Sequence, residues 1–196
     1  MFKKWILILA IVIEVILVAV FFAAGAKIQS YHLGFVIDKT FLENIAACEF
    51  YMTLRDGVSA FALFFLAAIL FYCWGLRKSI KEGENRDKGP LWGTVIFIVT
   101  AFVFAVPELS ELPTRNSEKV FVQMERLKDK HTEHYRSGSS YYLIFSGGKD
   151  LRVTSKRYDY SRIGNVYYTF YQGDILIQAL LTDKYTLKDL GDSYRN

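Results

Sequence analysis

One acidic residue stands inside the most apolar run of this 196-residue chain: Glu14, between Trp5 and Ala24. An ionised carboxylate at mid-bilayer depth costs several kcal/mol, so Glu14 is expected to be protonated or turned toward another helix. Thr100, at similar depth in a later apolar run, is the expected partner, in which case the pair serves as packing glue. The functional alternative is a group that responds to protons or ions, or that docks a partner's helix. A second candidate is His131 with His134, an H-x-x-H beside Asp129 and Glu133. Imidazoles three apart on a helical turn can hold zinc, but such a site needs further ligands. Nothing else in the sequence supplies them, and a stretch this charged reads as a solvated hairpin tip. No Walker loop, G-x-S-x-G, H-E-x-x-H or dinucleotide fingerprint occurs, so no catalytic residue, metal or cofactor is assigned.

The elements that must carry these residues begin with three apolar runs, 5–24, 58–74 and 91–106. A spanning helix needs roughly 20 apolar residues, and three transmembrane helices follow. Trp5, Trp74 and Trp92 each stand at one end of a run, where Trp prefers the interface. Arg77, Lys78, Lys81, Arg86 and Lys88 crowd the short loop after the second run, and Lys3 and Lys4 precede the first. The 25–57 loop carries only Lys27, Lys39 and Arg55. That asymmetry predicts a cytoplasmic N-terminus and an extracytoplasmic C-terminal half in the cell membrane. The same basic loop could bind anionic lipid, although setting orientation is its simpler role. Residues 1–26 also read as a signal peptide, with Ala24-Gly25-Ala26 as a cleavage site, but the apolar stretch exceeds a typical signal core, which favours an uncleaved anchor.

Between the first two runs, Thr40-Phe41-Leu42-Glu43 fits a capping box. Phe41, Ile45, Cys48 and Met52 then recur at helical spacing and predict an amphipathic outer helix over 41–55, ended by Asp56-Gly57. It either lies on the outer leaflet, packs under the distal domain, or extends the second span. Cys48 and Cys73 are 25 residues apart, about 37 Å along a helix, too far for a disulfide with each other.

After Pro107 the pattern changes to that of strands. Residues 108–117 read as a tether, 118–187 as a small antiparallel β-barrel and 188–196 as a tail. Val120, Val122 and Met124 alternate with Phe121, Gln123 and Glu125; a polar loop over 128–140 follows. Then come Tyr141–Phe145, a Gly147-Gly148 turn, Leu151–Ser155, and a hairpin of Val166–Tyr171 with Asp174–Leu181. Tyr141 or Tyr142, Phe145, Val153, Ile163, Tyr168 and Ile177 are the expected core. Ten of the thirteen tyrosines lie here, suiting a sheet or a protein-binding patch. Nucleic acid is disfavoured as a partner, because 14 Lys and Arg face 12 Asp and Glu after Pro107.

Tyr141-Tyr142-Leu143-Ile144-Phe145, the turn glycines, Val153-Thr154, Tyr158 and Ile163-Gly164-Asn165 together resemble a pattern in small β-barrel domains of unknown function tethered to bacterial membranes. Thr154, Asn165 and Ser161 depart from it, where Ser, Asp and an aliphatic residue are usual. The resemblance covers about residues 118–187, implies a fold and a bacterial envelope setting, and carries over no catalytic residue. The expected function is therefore non-enzymatic. The barrel is read as an interaction module for a protein partner, in an envelope accessory or immunity-type protein. The alternative is a transport or sensing component in which Glu14 titrates within the bilayer.

Overall fold

The computed structural model describes residues 4–31, 33–82, 89–136, 138–188 and 190–195. The chain forms two compact units, Met1–Tyr31 with Phe50–Thr114, and His32–Glu49 with Arg115–Asn196.

The first unit is helical. It contains α1 (Lys4–Ser30), most of α2 (Lys39–Glu82) and α3 (Gly89–Ser110). All three are long and apolar enough to cross a membrane. Glycine lets α2 and α3 approach closely. A Cβ at Gly93 would lie 2.7 Å from the Phe71 ring, and one at Gly57 2.8 Å from the Leu109 side chain. Gly57 is therefore a packing position and not the expected break, and the outer helix and second span are one continuous helix. The seam between them is aromatic, with ring centroids 5.2 Å apart for Phe61 and Phe102 and 5.1 Å for Phe71 and Phe97. Pro107 does not end α3 either. The helix runs on to Ser110, whose hydroxyl donates to the Pro107 carbonyl at 2.8 Å. A short α4 (Leu112–Ser117) occupies most of the expected tether.

In the second unit the start of α2 is set by Asp38, whose Oδ1 accepts the Phe41 N–H at 2.8 Å. The cap therefore precedes Thr40, which already lies inside the helix, and the capping box does not form as expected. From this segment Ile37, Phe41, Leu42 and Ile45 pack against Val120, Val122 and Phe170 in one core cluster. The amphipathic stretch thus belongs to the β domain's core.

After β1 (Val36–Ile37), which precedes α2, come five antiparallel strands: β2 (Val120–Tyr135), β3 (Gly138–Phe145), β4 (Asp150–Val153), β5 (Val166–Gln172) and β6 (Ile175–Leu181). They are ordered β4-β3-β2-β5-β6, and the path does not close. The result is a curled half-barrel rather than the closed barrel expected. β2 is shared: Val120–Arg126 pair with β5, Leu127–Tyr135 with β3, and the register shifts between Leu127 and Asp129. Such an irregularity bends a strand, which lets one long strand serve both halves. The polar loop expected over 128–140 is thus mostly paired strand. Alternation on β5 explains its sequence. Tyr168 and Phe170 enter the cluster with Phe41, whereas Tyr167 and Tyr171 enter a second cluster with Leu127, Leu143, Phe145 and Leu176. Both faces of this strand are covered, so it lacks polar alternation.

Other boundaries also move. A short helix, α5 (Ser155–Tyr160), capped by the Thr154 hydroxyl, replaces the expected end of a strand. In the β3–β4 turn only Gly148 has positive φ, at 78°. Ile163, expected in the core, is 59% exposed at a turn. The expected tail is part of the fold. Tyr194 and Arg195 join the main sheet beside β2, and just before the tail Thr186 and Leu187 pair with Val36 and Ile37 in a two-stranded sheet, both contacts between segments far apart in sequence.

Candidate functional site

The polar pair expected of Glu14 and Thr100 does not form as the sequence suggests. The Thr100 hydroxyl donates to the Ile96 carbonyl at 2.8 Å, within its own helix. Its hydrogen is not offered to Glu14, whose Oε2 is shielded and has no hydrogen-bond partner. Trp5, Trp74 and Trp92 all project from their helices. Trp74 and Lys78, four apart on α2, share a face, with the Lys78 ammonium 5.9 Å from the indole centroid. Arg77 and Lys81 are exposed one turn apart. Lys3, Arg86 and Lys88 lie outside the described residues.

His131 and His134 sit on β2, not on a helical turn or a loop. Three residues apart on a strand, their side chains leave opposite faces and cannot share a metal. The His134 Nδ1 is instead 2.9 Å from the Ser139 hydroxyl, and His131 is 3.8 Å from Glu133. Glu133 also accepts a short hydrogen bond from the Tyr135 hydroxyl. That bond holds the Glu133 carboxyl below its usual range and pushes the Tyr135 phenol up to about 12. Among the described residues no three His, Cys, Asp or Glu side chains gather where they could hold a metal.

Sequence reasoning missed a buried carboxylate. Glu125 accepts the Tyr171 hydroxyl at 2.8 Å and the Gly147 N–H at 3.4 Å, tying β5 to the β3–β4 turn. Burial, and then the Glu125 carboxylate, push the Tyr171 phenol above its ordinary value. A side chain at Gly147 would collide with Glu125, which accounts for the glycine. No local signal could have found this, because Glu125 sits in a strand alternating like any other and its partner lies 46 residues away.

The second unit also carries a groove of about 580 Å³ between the start of α2, residues 116–120 and the turn Gly191–Ser193. Its floor is Leu42, Ala46, Val120 and Leu190. Leu42 and Ala46 are one helical turn apart, so the Asp38 cap that starts the helix also aims both into the floor. The rim is charged: Lys39 and Glu43 from α2, Glu118 and Lys119 before β2, and Asp192. Gln172 fixes that second rim segment. Its amide donates to the Arg115 and Glu118 carbonyls from the end of β5. At the following position Gly173, with φ of 57°, leaves space that the Glu118 carboxylate fills. The groove thus has an apolar floor inside a rim carrying both signs of charge.

No family model, curated protein or solved structure matches the chain.

Proposed function

We propose that this chain is a non-enzymatic integral membrane protein of a bacterial cell membrane. Its N-terminus is cytoplasmic, and its β domain is an extracytoplasmic module that binds a protein partner as an envelope accessory or immunity-type protein. The observation that carries this reading is the groove, whose apolar floor and rim of mixed charge suit a polypeptide segment with an apolar side chain flanked by charges. The basic residues around Trp74 support the orientation, and the likeness of residues 118–187 to membrane-tethered bacterial domains supports the setting. The test is a pull-down from membranes with the full chain, beside a variant carrying Glu43→Lys and Lys119→Glu. Proteins held by the parent and released by the variant support the groove as the contact. Identical capture by both overturns it. External protease on spheroplasts should cut after Pro107 and spare the Arg77–Lys88 loop; the reverse pattern inverts the topology.

A second reading, transport or sensing through Glu14, is favoured by the shielded, unpartnered Oε2 of that residue. Glu14→Gln separates the two. A packing group tolerates the neutral isostere, whereas a proton carrier loses function with insertion and folding intact.

A further inference from the structure

Arg157 is a half-buried cation with only neutral acceptors. From α5 its guanidinium donates to the Gln178 side-chain oxygen at 2.7 Å and to the Ala179 carbonyl, both on β6. Among the described residues no carboxylate forms an ion pair with it. Removing a guanidinium from water without an opposing charge is costly, and burial lowers its affinity for the proton. These two bonds occupy two of its five N–H donors and fix the plane of the fork.

Arg157 borders a cavity of about 350 Å³, outside the groove described above. Lys184, from the turn Thr182–Lys184 that follows β6, contributes a second cation, and Tyr160, Tyr167 and Tyr185 contribute phenol rings. None of the described lining residues is an Asp or Glu. The flanking Asp159 and Asp183 are exposed and outside the lining. A third cation stands close by, since the Lys130 ammonium donates to the Ser161 carbonyl at 3.1 Å and lies 4.1 Å from the Tyr158 ring centroid.

We propose that this cavity is a binding site for a phosphate-bearing ligand, held by the Arg157 guanidinium and the Lys184 ammonium. A planar fork already oriented by Gln178 and Ala179 matches phosphate oxygens bidentately, and its order before binding lowers the entropic cost of association. Two cations with no carboxylate among the lining residues match the negative charge of a phosphate group. The volume exceeds that of phosphate alone, and Tyr160, 78% exposed, offers a ring on which the rest of the ligand can rest. The phosphate comes either from a soluble ester or from a lipid headgroup.

The experiment uses the full chain in phosphatidylcholine nanodiscs, titrated calorimetrically with inorganic phosphate at constant ionic strength, and repeated in discs containing phosphatidylglycerol. Saturable binding is expected, weakened about tenfold or more by Lys184→Glu, as for a lost hydrogen bond to a charged group. Because Lys184 is exposed, that variant should melt with the parent. Arg157→Lys, which keeps the charge without the fork, should weaken binding too. If phosphatidylglycerol discs suppress the phosphate isotherm, the headgroup is the source; an unchanged isotherm indicates a soluble ester. Absence of saturable binding in phosphatidylcholine discs, or equal binding by the parent and Lys184→Glu, overturns the site.

Discussion

The two units differ in which side chains they leave exposed. In the helical unit the side chains hidden from solvent include Ala68, Ala101 and Ala105, while Leu63, Leu70, Phe102 and Val103 stand more than half exposed. In the β unit Leu127, Leu143, Phe145 and Phe170 are fully enclosed, and Lys128, Asp129 and Arg136 are outside. A β unit of that kind is what water selects, because burying large apolar surface is the main favourable term. A helical unit that hides alanines and leaves large apolar side chains outside is the pattern expected of helices in lipid, where close packing rather than water exclusion must hold them together. The two patterns differ, and the same substitution should have different effects in each.

The largest effect is expected for Phe145→Ala, which removes a fully buried ring from the second cluster. It should cost about 3–5 kcal/mol and expose the β unit to protease while α1–α3 keep their helical signal. A parental melt of the β unit would place Phe145 outside the core and break the comparison. In the helical unit the damaging change is growth rather than loss. Ala101→Leu, at a position with no exposed surface, should cost about 1–3 kcal/mol by overpacking, measured by steric trapping in bicelles. Equal stability would show that small size is not what that position requires.

Next is Tyr171→Phe, which deletes the hydrogen bond to Glu125 and should cost about 1.5 kcal/mol. Its pH dependence has a definite sign. The folded phenol is held above its ordinary value by burial and then by Glu125, whereas the unfolded phenol ionises near pH 10. The bond's contribution is therefore fully present below about pH 10 and is lost as pH rises above it. Denaturant midpoints measured from pH 7 to 11 should fall in the parent and flatten in Tyr171→Phe; parallel curves would exclude this phenol as the cause. The smallest effect is expected for Val103→Leu on the exposed side of α3. It should stay within about 0.5 kcal/mol in a bilayer, and a larger loss would show that this position is packed rather than exposed.

Properties that depend on neighbouring residues were legible without the fold. The three apolar helices follow from run length, the helical character of 41–55 from spacing, and the β5–β6 hairpin from the turn around Gly173. Each is set by backbone periodicity and local polarity, which a short window contains. Pairings between distant segments were not legible. Asp38 rather than Thr40 caps α2 because the chain enters from β1, whose partner is Thr186 and Leu187. Glu125 is buried because Tyr171 and Gly147 meet it, and Arg157 reaches β6 because α5 folds back over residues 178 and 179. The groove joins residues near 40, 118 and 191. The sequence by itself determined which segments are apolar, the three long helices and the β5–β6 hairpin, because those depend on residues within a few turns of one another; the strand over 128–135 and the short helices α4 and α5 it did not determine. The open curl of the sheet, its two-faced core and both cavities were decided only by tertiary structure. They depend on which distant backbone groups pair, and one strand's composition does not name its partner.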